Sequence, residues 1–129
     1  MTPRSPFDLR PPSGWLFLLR LLAWEHVVLG TLSLIGAALL VVAPPPEAPP
    51  LLLAPLYLMM GGALVVAGAG MLSYRAWGRT LALVLALIIG LFAVLPLVGG
   101  QPPGALAMAH TLVTVGLLTR PAIRRAFGL

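Results

Sequence analysis

The chain alternates long apolar runs with short breaks, and all of its cations fall in or beside alternate breaks. The runs are Trp15–Ala43, Leu51–Tyr74, Trp77–Val98 and Pro103–Thr119. Arg4 and Arg10 precede the first, and Arg20 lies near its start. Arg75 and Arg79 sit between the second and third, and Arg120, Arg124 and Arg125 follow the fourth. The breaks Pro44–Pro50 and Gly99–Pro102 hold no cation. A hydrocarbon layer about 30 Å thick takes roughly 20 apolar helical residues, so each run is a candidate span. Lys and Arg in short loops stay on the cytoplasmic side. The expected fold is therefore all-α: a polytopic membrane protein with four transmembrane helices in an up-down antiparallel bundle and both termini cytoplasmic. Trp15, Trp24, Trp77 and Tyr74 map to the same side as the arginines, as rings that prefer the headgroup level should.

Composition narrows the rest. Only 9% of the 129 residues are charged, against about 25% in an ordinary soluble domain. Four spans and their loops use nearly the whole chain, so residues 1–129 are expected to form one transmembrane domain. The net charge of +5 flanks hydrophobic spans, which points to topology and anionic lipid rather than nucleic acid. The absence of cysteine and lysine excludes disulfides, thiolate metal sites, cysteine nucleophiles and Schiff bases. Three acidic residues and no hydrolase or nucleotide motif argue against an enzyme, and no metal-ligand set stands out. The arginine-only, Ala/Leu/Pro/Gly-rich composition suggests a bacterial inner-membrane protein. The first run is too long for a signal-peptide core, so it is expected to remain as a helix.

Local signals set the boundaries. Prolines in Met1–Pro12 oppose a helix there, and Ser13 is placed to cap the first one. That run, at about 44 Å of helix, exceeds the hydrocarbon thickness, and its first turns are expected at the headgroups near Arg20. Five prolines in Pro44–Pro50 favour a stiff polyproline II connection. The fourth run is the shortest, about 26 Å. Residues 121–128 carry Ile123 and Phe127 beside Arg124 and Arg125 and read as a short interfacial helix.

Small residues mark where helices approach in lipid. Gly78, Ala82, Ala86 and Gly90 recur every fourth residue, with Leu85 and Leu87 beside them as candidates to face lipid. Gly61 and Gly68 mark the second helix, and His26, Gly30, Ser33 and Ala37 share a stripe of the first. Ala107, His110 and Thr114 line the fourth, with Thr111 at the border.

Ionisable groups inside a membrane are functional candidates by default. Glu25 and Arg20 are the proton or ion candidates. Glu25 is expected either to form an interfacial pair near Arg20 or Arg75 or to carry protons. His26 and His110 lie at similar estimated depth on opposite-running helices. They are candidates to ligate haem or a chlorophyll-type pigment, or else to hydrogen-bond a hydroxyl such as Ser33 or Thr114.

Two resemblances follow. Residues Gly61–Ala82, with their glycine-rich helix end, the basic turn containing Trp77 and Arg79, and an Ala/Leu-rich third helix with late Pro96, resemble small four-helix bacterial inner-membrane proteins of the DoxX-like group. The ending Arg120-Pro121-Ala122-Ile123-Arg124-Arg125-Ala126-Phe127 is similar too. This implies a fold and a compartment. Glu25 followed by Gly30-Thr31 resembles the glutamate region of small multidrug resistance transporters, which implies proton-coupled cation export. The chain departs from that family in the glutamate-to-Gly-Thr spacing and in Arg20. The functional expectation is a non-catalytic accessory or scaffold subunit that lies in the lipid bilayer beside other integral membrane subunits. A proton-coupled small-cation exporter using Glu25, and a haem or pigment carrier using His26 or His110, are the alternatives.

Overall fold

A computed structural model describes residues 13–46 and 50–129. Arg4, Arg10, the expected non-helical start and the centre of the Pro44–Pro50 connection, including Glu47, lie outside the described residues. Five helices follow in order: α1 Ser13–Val42, α2 Pro50–Leu72, α3 Ala76–Val98, α4 Pro102–Leu118 and α5 Pro121–Ala126. Among the described residues there is no strand. The first three helices are long and apolar enough to cross a membrane, whereas α4, at 17 residues, is shorter. None of the four long helices has a polar face, and large apolar side chains such as Leu32, Leu87, Leu91 and Leu112 stand exposed on their outer surfaces. A helix that is hydrophobic all round belongs inside a protein or a membrane. Here the exposed surface calls for lipid, and the three long apolar helices are consistent with a multi-pass membrane protein.

The turns show why the helices stop where they do. After α2, the Arg75 N–H donates to the Gly70 carbonyl and the Tyr74 N–H to that of Met71. After α3, Gln101 and Gly100 repeat the pattern on Pro96 and Leu97. Each is a Schellman motif, which satisfies orphan carbonyls through one left-handed residue. Gly100 takes that conformation at φ 70°, whereas Tyr74 takes it at φ 52° with a side chain attached. That placement costs about 1 kcal/mol or more. Tyr74 is held there by Arg20, whose Nε donates to its hydroxyl at 3.3 Å, and by the Phe127 ring at 6.3 Å.

The four long helices form two tight hairpins, α1–α2 and α3–α4, whose shared core lies at the arginine-bearing end. There the core assembles from Leu19, Leu22 and Ala23 of α1, Leu64, Ala67 and Met71 of α2, Ala82 and Leu85 of α3, and Leu118 of α4. Helix α5 closes this end, with Ile123 fully buried and Phe127 nearly so. Arg79 Nε donates to the Leu118 carbonyl at 2.8 Å, tying α3 to the end of α4, and the Arg120 guanidinium lies over the Trp15 ring. Towards the proline-bearing end a cleft of about 310 Å³, lined by Ser33, Leu56, Tyr57, Met60 and Phe92, separates the hairpins. Leu85, expected on the lipid side, belongs instead to the core. It follows the Ala82 side of the α3 stripe, about 60° away around the helix, whereas Leu87 is about 100° beyond Ala86 and stands exposed.

Candidate functional site

The polar side chains inside the bundle gather where α1 passes α4. His26 sits on α1 among Leu22 and Ala23 and is fully buried. Its Nδ1 lies 2.9 Å from the Leu22 carbonyl, one turn back. A carbonyl can only accept, so Nδ1 carries the proton and donates. In the neutral ring Nε2 is then a bare lone pair. His110 on α4 directs its Nδ1–H to Glu25 Oε1 at 2.8 Å, which in the neutral ring leaves its own Nε2 bare in the same way. The two rings lie 5.4 Å apart, centre to centre, tilted by 41°. Among the described residues, three buried side-chain polar atoms have no hydrogen-bond partner: both Nε2 atoms and Thr114 Oγ1. Thr114 is one turn along α4 from His110 and is fully buried.

Glu25 is the more accessible member. Its side chain is 41% accessible, against 14% for His110. It is the only ion pair or potential ion pair among the described residues. It does not pair with Arg20 or Arg75, which were the expected partners. Five residues of α-helix turn through about 140° net, so Arg20 and Glu25 leave α1 on nearly opposite sides. Arg20 bonds Tyr74 instead. The expected histidine–hydroxyl bonds are also replaced: Ser33 donates to the Leu29 carbonyl, and His26 takes Leu22. Ring centres 5.4 Å apart leave no room for a macrocycle ligated by both histidines.

The small-residue positions set how near the backbones come. A Cβ at Gly30 would stand 2.6 Å from the Gly61 carbonyl oxygen, and one at Gly61 would stand 2.7 Å from that of Gly30. Ser33 packs beside Gly61, and a Cβ at Gly68 would stand 2.7 Å from the Ala23 carbonyl oxygen. Gly78 lies against Gly70 at the α2–α3 turn. Ala82 and Ala86 are fully buried. Gly90 receives the Thr111 side chain, whose hydroxyl donates to the Ala86 carbonyl at 3.0 Å. That α3–α4 bond uses a residue the sequence placed only at the border of its stripe. Such back-bonding hydroxyls are the polar glue of helix contacts in lipid.

No protein-family model, curated protein or solved structure matches this chain.

The chemistry of the site therefore rests on its own geometry. The described residues contain no group of three or more His, Asp or Glu side chains placed to hold a metal together. What they do contain is a carboxylate–imidazole pair joining two hairpins, with a second imidazole stacked beside it. Such a chain can hold or pass a proton, or present two nitrogen lone pairs to one acceptor.

Proposed function

We propose that this chain is a four-span protein of the bacterial inner membrane, with both termini and the Arg75–Arg79 turn cytoplasmic, acting as a non-catalytic accessory or scaffold subunit of a larger membrane complex. Alternation of arginine-bearing and arginine-free breaks supports the topology. Closely packed glycine seams support a rigid rather than an alternating framework.

The observation that carries the subunit reading is Glu25. It lies about 7 Å further along α1 than Arg20, which puts it below the headgroups on this topology. Yet its side chain is 41% accessible, beside exposed Leu21, Val28 and Leu29. A carboxylate facing hydrocarbon is costly, and such groups nearly always face protein or a water-filled cavity. His110 satisfies one oxygen, and a helix of another subunit would cover the rest. The test is the mass of the gently solubilised native assembly. A particle containing this chain and further membrane subunits is expected; a monomer surrounded only by lipid and detergent counts against the reading.

A second reading rests on the same contact. The Glu25–His110 pair joins the two hairpins and can exchange a proton, as an exporter requires. Proton-driven uptake of a lipophilic cation into proteoliposomes that disappears in Glu25→Gln would favour this reading. Uptake in neither protein would leave the subunit reading.

A further inference from the structure

We propose that His26 and His110 form a site for one monovalent copper ion, bound by their two Nε2 atoms at the α1–α4 seam. Metal-ligating histidines almost always donate the other ring N–H to a carboxylate or a backbone carbonyl, which fixes the tautomer and aims the ligand nitrogen. Both histidines have this arrangement. His110 Nδ1–H is held by the Glu25 carboxylate and His26 Nδ1–H by the Leu22 carbonyl. Both Nε2 atoms are buried and without a partner among the described residues, and the ring centres are 5.4 Å apart. One ion with nitrogen–metal bonds of about 2 Å bridges two rings at that separation when both Nε2 atoms point at it, with a bent nitrogen–metal–nitrogen angle of about 120°. Two acceptor nitrogens cannot satisfy each other, whereas a cation satisfies both.

Charge and coordination number select the ion. Two neutral imidazoles, the Glu25 carboxylate and a singly charged cation sum to zero. A divalent ion would leave a net charge below the headgroups, where it is costly. Copper accepts imidazole, and a cuprous ion held at about 120° by two nitrogens is three-coordinate, so one further small donor completes it. Thr114, whose buried hydroxyl is also without a partner, lies one turn along α4 from His110 as the candidate third donor. The inference goes beyond the subunit reading; its choice of ion rests on the proposed four-span topology, and all five residues involved belong to this chain.

The experiment uses the full chain in lipid nanodiscs, purified through a tag that contains no histidine, and titrated with copper under reducing conditions against a chromophoric cuprous chelator. One ion per chain is expected. His26→Ala and His110→Ala should each weaken binding at least 100-fold. Glu25→Gln, which keeps both ligands and removes only the carboxylate behind His110, should keep the stoichiometry and weaken binding 10- to 100-fold. X-ray absorption of the loaded wild-type protein provides a readout independent of any variant's folding, and two nitrogen neighbours near 2 Å are expected. No copper bound by the wild type overturns the proposal, as does binding unchanged in the double His26→Ala/His110→Ala variant. A sulfur-dominated absorption signature, placing the ion on methionines, overturns it as well.

Discussion

Replacing Gly30 with alanine measures what holds the α1–α2 hairpin together. The new methyl would lie 2.6 Å from the Gly61 oxygen, 2.7 Å from the Val65 nitrogen and 2.8 Å from a Val65 methyl. Two of these are backbone atoms that no rotamer change can move. Ordinary contact begins at 3.4 Å, so the helices must part by about 0.8 Å, enough to forfeit a quarter to a half of the dispersion energy of the pairs along the seam. Overpacking of this kind costs about 1–3 kcal/mol. The helix-propensity gain of alanine over glycine, about 0.5–1 kcal/mol, acts in the opposite direction and is removed by a control. Gly62 is in the same helical region of α2 and has nothing within 4 Å of its would-be Cβ. Gly62→Ala therefore carries the propensity gain without the clash. The difference between the two variants is expected to be about 1–3 kcal/mol, or a factor of roughly 5 to 150 in the unfolding equilibrium. Titration of reconstituted protein from mild micelles into dodecyl sulfate, followed by far-ultraviolet circular dichroism, reads that difference. Equal stability of Gly30→Ala and Gly62→Ala would refute the glycine seam as the determinant of hairpin packing.

Further expectations concern the other helices and the topology. Reporter fusions at Glu47 and Gln101 should read periplasmic, and a cytoplasmic signal at either would end the four-span topology. Gly90→Leu should disrupt folding or assembly, because its side chain runs into Thr111, while Leu87→Ala on the exposed face of α3 should be mild; both are read by the same titration. Arg79→Leu removes a charge-assisted bond to the Leu118 carbonyl at 2.8 Å and should destabilise the protein by about 1.5–3 kcal/mol, whereas retention of full stability would show that α3 and α4 are tied elsewhere.

Different parts of this molecule are legible in the sequence to different degrees, for physical reasons. Helix positions follow from apolar run length and from Pro and Gly punctuation, and the α3 spacing of Gly78, Ala82, Ala86 and Gly90 stands out because its neighbours are bulky. The side of a stripe is harder to read. Leu85 and Leu87 flank the same alanine, yet only the rotation of α3 against its neighbours decides which is buried. The geometry separating Arg20 from Glu25 is contained in the helix repeat, since five residues cannot share a face. The choice of His110 as the partner of Glu25 is not, because it links residues 85 apart in sequence through the packing of two hairpins. Nor does composition show which end closes. Leucine and alanine are spread along all four helices, and closure at the arginine end comes from the Gly70–Gly78 approach and from α5 tucking Ile123 and Phe127 under the bundle. Tyr74 at a left-handed position gives no sequence signal, since that place usually goes to glycine.

The central claim is that the exposed side of Glu25 lies inside the membrane and is covered by another protein. Photo-crosslinking amino acids at Leu21 and Val28, which flank Glu25 on the exposed surface of α1, test it most directly when activated in the native membrane. The account predicts a discrete protein adduct at both positions, one that identifies the neighbouring subunit by mass spectrometry. Adducts to lipid alone at both positions would contradict it.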